Sequence, residues 1–154
     1  MKIATADKWF SLFIRLRDSD QNGYARCCTC GKIQHFRDMD AGHFVNCKFK
    51  AVRFNEKNVN TQCRYCNRFC EGNIPEYSLF MIKKYGKGTT ETLIATKKIY
   101  TKMGSFQIEQ IAKHYRKKAK ALAKEKGIEL WEICMKVWKL NMINWGCEND
   151  NYWL

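Results

Sequence analysis

The chain has 154 residues, 45% of them hydrophobic and 14% aromatic, with one proline and nine glycines. That composition suits one compact core and excludes a fibrous or disordered chain. No apolar run approaches the ~18 residues of a membrane helix, and MKIATADKWF has no signal-peptide pattern, so a cytoplasmic protein is expected. Lys and Arg number 28 against 15 Asp and Glu, a net charge of +13, which is the balance of a protein that meets a polyanion, most often nucleic acid.

In chain order, residues 7–17 read as a short helix with Trp9, Phe13 and Leu16 on one face, stopped by the turn cluster Asp18–Gly23. Ile33–Met39 and His43–Val45 read as two short strands around a bend at Asp40-Ala41-Gly42, and residues 63–70 as the start of a helix. Glu76–Tyr85 is expected to be helical, ended by Gly86, with a second helix over Thr90–Tyr100. Ser105 reads as the N-cap of a helix running to Lys126, with Ile108, Ile111, Tyr115 and Leu122 on its apolar face and Gly127 at its end. The tail beyond is apolar and aromatic, and its periodicity fits a helix or a strand. Two regions are expected: 1–75, holding the clustered cysteines, and 76–154, basic and helical with a Trp-rich tail.

Nine cysteines, an odd number, in a chain without an export signal argue for reduced thiolates rather than a disulfide framework. Two Cys-x-x-Cys pairs, Cys27/Cys30 and Cys63/Cys66, stand 32 residues apart. Each such turn presents two sulfurs, and two turns complete the tetrahedron that a structural zinc ion takes. Of the doubled Cys27-Cys28, Cys27 gives the regular spacing. Four thiolates leave no open coordination position, so this ion would staple and do no chemistry itself. Cys47, Cys70, Cys134 and Cys147 lack paired spacing and read as small buried hydrophobes.

The loop between the pairs holds Asp40-Ala41-Gly42-His43-Phe44 and Asn58-Val59-Asn60-Thr61-Gln62, and Asn67 follows the last cysteine directly. Together these resemble the His-Asn-His, or ββα-metal, nuclease motif threaded on a treble-clef zinc knuckle. Further segments, ADKWFS, IRLRD, C-x-C-G-K, DAGHF, RFNEKNV, QC-x-x-CN and EGN, look like the phage NinG/Rap recombination-protein family over residues 5–126. The resemblance implies an α+β fold with a small zinc-stapled nuclease core and flanking helices. It implies a structure-specific endonuclease acting on branched DNA such as Holliday junctions and D-loops. His43 would be the general base, Asn58 the residue that holds the hairpin, and Asn67 a metal ligand.

Local chemistry agrees with these roles. A neutral imidazole is a suitable base near neutral pH. A hard divalent ion, Mg²⁺ or a similar one, takes oxygen ligands, which Asn67 and Asp40 offer. Gly42 fills the position directly before the base and has no side chain to ligate with. Glu71 and Asn73 are alternatives for completing the shell. Arg53 is a candidate fork for the scissile phosphate.

The charge is concentrated late: residues 1–81 carry +5, residues 82–126 carry +10, and residues 127–154 carry −2. On the helix over 105–126, Arg116, Lys117, Lys120 and Lys124 form an outward face suited to phosphate contact without base readout. Trp131, Trp138 and Trp145 recur every seven residues and suit a core or a homodimer seam. The alternatives are a zinc-stapled DNA-binding protein without catalysis and an RNA-binding protein using the same helix. The oxygen ligands beside a base favour the enzyme.

Overall fold

The structure, a computed structural model, describes residues 1–130. The tryptophan seam and the residues Cys134 and Cys147 lie outside the described residues. The fold is mixed α+β. In chain order come α1 (Ile3–Arg17), β1 (Tyr24–Arg26), β2 (Ile33–His35), a 3₁₀ turn (Phe36–Asp38), β3 (Met39–His43), α2 (Lys50–Arg53), β4 (Val59–Cys63), a π turn (Tyr65–Phe69), α3 (Ile74–Tyr85), α4 (Lys87–Thr96) and α5 (Ser105–Glu125).

Two antiparallel pairs position the cysteines. β1 and β2 form a hairpin whose loop carries Cys27 and Cys30. β3 pairs with β4 in the register Met39↔Cys63, Asp40↔Gln62, Ala41↔Thr61, Gly42↔Asn60 and His43↔Val59. The strands expected at 33–39 and 43–45 therefore have different bounds, and Asp40-Ala41-Gly42 lies inside β3 rather than in a bend. The reason is across the ladder. All five residues of β4 are buried, although Asn60, Thr61 and Gln62 are polar; neighbours satisfy Asn60, Thr61 and the Gln62 Nε2, while Gln62 Oε1 is buried without a hydrogen-bond partner. Thr61 N–H and Oγ1 both donate to Asp18, at 3.0 and 3.1 Å. Asn60 Oδ1 accepts from Lys84 Nζ and Tyr85 OH, each at 3.0 Å.

α1 begins four residues earlier than expected and buries Ala6, Phe10, Phe13, Ile14 and Leu16. Its apolar face meets α5, where Tyr115 packs edge-on against Phe10 at 4.7 Å between ring centroids. Phe36, Val59, Ala119 and Ala123 complete that cluster. Lys126, just past α5, donates from Nζ to Leu16 O at 2.7 Å and to Ser19 O, placing a cation at the negative end of α1. A second cluster joins Val45 and Val52 to Tyr77, Met81 and Leu93 of α3 and α4.

The later helices follow the expected order with shifted ends. α3 starts at Ile74 with Pro75 in its first turn, where a missing N–H costs nothing. α4 spans 87–96 rather than 90–100. The cap of α5 is Gly104, not Ser105: Gly104 N–H donates to Gln107 Oε1 at 2.9 Å. Among the described residues no helix is long and apolar enough to cross a membrane.

Candidate metal centres

The four sulfurs of Cys27, Cys30, Cys63 and Cys66 lie within 4.8 Å of one another. Cys30 Sγ and Cys63 Sγ are 3.7 Å apart, close to the roughly 3.8 Å edge of a tetrahedron with ~2.3 Å zinc–sulfur bonds. The donor set therefore fits a structural zinc ion. Burial raises the Cys27 thiol, but the Thr29 hydroxyl and nearby backbone N–H groups outweigh it and bring it down to about 6. Burial pushes Cys66 up to about 12, so an ion there would displace its proton. Cys28 points elsewhere, packing against the Val45–Tyr77 cluster. The two hairpins are also tied directly, by Cys28 N–H to Thr61 O at 3.0 Å.

One residue beyond Cys66, the Asn67 amide lies 3.0 Å from Asp40 Oδ2. These are two oxygen-bearing side chains from β3 and the π turn, and a hard divalent ion uses that chemistry. Burial raises the Asp40 carboxyl, but Arg68 and Asn67 outweigh it and hold the carboxyl below its usual value, so Asp40 is ionised. Arg68 grips the carboxylate with two bonds, at 2.7 and 2.8 Å. Neither the Glu71 nor the Asn73 side chain is hydrogen-bonded to Asp40 or Asn67. Both have positive φ, 50° and 46°, and flank Gly72 in a left-handed turn.

That turn is locked by Gln62. Its Nε2 donates to Gly72 O at 2.7 Å and toward Thr29 Oγ1 at 3.3 Å, joining the first cysteine loop to the exit of the π turn. Gln62 crosses directly over Gly42, where an added Cβ would stand 1.9 Å from Oε1. Gly42 is thus a packing requirement of β3, imposed by Gln62 of β4.

His43 ends β3. Strand alternation puts its ring with Ala41 on the face opposite Asp40, and no hydrogen bond joins it to Asp40 or Asn67. Its Nε2 is 3.0 Å from Arg53 O. A carbonyl only accepts, so Nε2 carries the proton and Nδ1 is the basic nitrogen of the neutral ring. Burial, more than any charge, lowers the His43 pKa below its usual value. Asn58 builds the loop that supplies that carbonyl. Fully buried, it accepts from Val45 N–H at 2.8 Å and donates to Val45 O at 2.9 Å and Val52 O at 3.0 Å. Tyr77 OH donates to Gly42 O at 2.8 Å and accepts from Asn60 N–H at 2.9 Å, fixing the residue before His43 from below.

Arg53's side chain is engaged within the protein. Its Nε and Nη2 clasp Asp7 at 2.8 and 2.6 Å, and Nη1 donates to Cys47 O. Arg116, Lys117, Lys120 and Lys124 are all exposed on α5, and the Arg116 guanidinium lies 5.4 Å over the Trp9 ring. Lys118, between them, turns inward to Glu56 at 2.6 Å. Sequence reasoning did not single out Arg68, Gln62, Tyr77 or Asp7. Only the adjacency of Arg68 to Asn67 could have drawn attention.

A family model described as "Bacteriophage Lambda NinG protein" matches residues 2–125. Protein ninG of Escherichia phage lambda is 32% identical over 92 residues, covering 59% of this chain and 43% of its own length. Protein ninG of Salmonella phage P22 is 28% identical over 121 residues, covering 78% and 57%. The chain spans about half the length of these curated relatives. No solved structure matches. With the four-cysteine cluster and the segments around it inside the matched region, the chain belongs to the NinG family of phage proteins.

Proposed function

We propose that the chain is a zinc-stapled, divalent-metal-dependent endonuclease of phage recombination that hydrolyses phosphodiester bonds in branched DNA. The observation that carries this reading is the meeting of Asp40 and Asn67 at 3.0 Å, one residue from the thiolate cluster. Asp40 and Asn67 would hold the ion, with the Asn67 amide turned to present its oxygen. When bound, the ion neutralises phosphoryl charge and stabilises the departing oxygen.

His43 is ready for its part before substrate arrives. Its Nδ1 takes the proton from a water as that oxygen bonds to phosphorus and the P–O bond to the leaving sugar breaks. The Arg53 carbonyl holds the ring's tautomer and orientation, and Asn58 holds the neighbouring Val52 carbonyl of the same short helix. Among the described residues β3 pairs with β4 alone, and a sugar–phosphate that crosses β3 would meet Asp40 from one strand face and His43 from the other. The outward cations of α5 grip the flanking phosphates.

One observation favours the alternative, a DNA binder without catalysis: Arg68 already satisfies the Asp40 carboxylate. The two readings part on a labelled four-way junction incubated with wild type and His43→Ala, with and without Mg²⁺. The enzyme reading expects cleavage only with wild type and the ion, and at least 100-fold less with His43→Ala. Tight binding with no cleavage under any divalent ion establishes the alternative.

A further inference from the structure

The π turn that places Cys66 and Asn67 inward also pushes two aromatic rings outward. Tyr65 and Phe69 are 68% and 77% exposed. Their planes are within 26° of parallel, with centroids 6.2 Å apart. Single exposed apolar side chains are ordinary, but two adjacent, nearly parallel rings on one turn form a local apolar patch of the kind a ligand covers. The surroundings indicate what the contact is. Arg64 precedes the pair and Arg68 lies within it, each ion-paired, to Asp38 at 3.7 Å and Asp40 at 2.7 Å, yet with side chains 51% and 59% exposed, on a protein of net charge +13. Apolar ring faces framed by guanidinium groups suit an unpaired nucleotide, whose base stacks while its phosphates meet the cations. Paired bases inside a duplex offer no face to such rings.

We infer that Tyr65 and Phe69 form a stacking platform for an unpaired base at a DNA branch point, beside the Asp40–Asn67 pair. This deepens the reading of branched DNA as the substrate and rests on it for the identity of the ligand. It assigns branch preference to two residues that take no part in bond cleavage. The platform and Asn67 ride on one five-residue turn, so stacking a displaced base there sets the backbone phosphate beside it near the oxygen donors.

The test uses the full zinc-loaded chain with Ca²⁺ in place of Mg²⁺. Binding is measured by fluorescence anisotropy to a fork with a single-stranded arm, to a four-way junction and to plain duplex, at one fixed salt concentration. Wild type is expected to prefer the fork and junction and to change the emission of 2-aminopurine placed at the branch. Tyr65→Ala/Phe69→Ala is expected to weaken branched binding about tenfold or more, to leave duplex binding within about twofold, and to abolish the 2-aminopurine response. Tyr65→Phe, which keeps the ring, is expected to behave as wild type. Unchanged zinc content and circular dichroism in the double variant show that the turn is intact. The inference is overturned if wild type shows no branch preference, if the double variant binds every DNA like wild type, or if it loses duplex and branched DNA equally. A variant that changes sedimentation mass instead assigns the rings to a protein contact and also overturns it. His43→Ala is expected to keep the full preference, so loss of cleavage and loss of stacking are separately visible.

Discussion

His43 and Gly42 show how much single positions carry here. Burial lowers the His43 pKa and favours the neutral ring in the folded chain, while the unfolded chain takes up a proton near pH 6.5. In the window just below that pH the unfolded state binds more protons, so stability rises with pH there and levels off above it. Urea unfolding between pH 5 and 7.5 is expected to show that slope in wild type and a shallower one in His43→Ala. Gly42 faces Gln62 too closely for any side chain, and Gln62 is held at Gly72. Gly42→Ala is therefore expected to lower the unfolding free energy by about 1–3 kcal/mol, and an unchanged midpoint would refute the close approach. At this scale the cysteine spacing was legible, because metal geometry imposes a fixed spacing, whereas Asn58 was reached through the family resemblance. Arg68 and Gln62 were not legible, because their partners, Asp40 and Gly72, meet them only once β3 and β4 are in register.

The elements divide into a stapled part and a packed part. Around the cysteines the strands hold few apolar residues, chiefly Ala25, Met39 and the cysteines themselves, with Val59 and Ala41 facing the α1–α5 core instead, so an ion held by the four sulfurs would supply much of what fixes this end. The α1–α5 pair has a core of Phe10, Phe13, Leu16 and Tyr115 that does not involve the metal. Chelating the zinc is expected to speed hydrogen exchange at the Cys28 amide by at least tenfold while Tyr115 and Ala119 stay protected. Equal acceleration of both regions would contradict the division. Asn58→Ala leaves Val45 N–H, Val45 O and Val52 O unpaired in a buried loop and is expected to cost about 3 kcal/mol in thermal or urea unfolding. The long helix α5 was legible because its apolar face repeats at three-to-four spacing. β4 was not, because VNTQC buries polar residues and shows no alternation. Its strand character depends on Asp18, Tyr77 and Lys84 arriving from distant parts of the chain.

For the whole molecule, α1 is the bridge: it packs α5 on one side and the β3–β4 pair on the other. The cationic face of α5 and the Asp40–Asn67 pair are thereby held in one body. Lys117→Ala/Lys120→Ala is expected to lower the slope of log affinity against log salt by about 2, since each lost phosphate contact removes roughly 0.9. An unchanged slope would remove α5 from the DNA path. The charge excess behind this was visible in composition alone, and the helical spacing marked Arg116, Lys117, Lys120 and Lys124 as the outward face, where they are exposed. The inward turn of Lys118 to Glu56 was not legible. The central claim is that Asp40 and Asn67 form an ion site distinct from the sulfur site. Its most direct measurement is Mn²⁺ titration of the zinc-loaded protein, followed by electron paramagnetic resonance. One Mn²⁺ site in wild type, lost in Asp40→Ala and weakened in Asn67→Ala with zinc content unchanged, is the predicted result. Equal Mn²⁺ binding by all three proteins, or none by wild type, would contradict it.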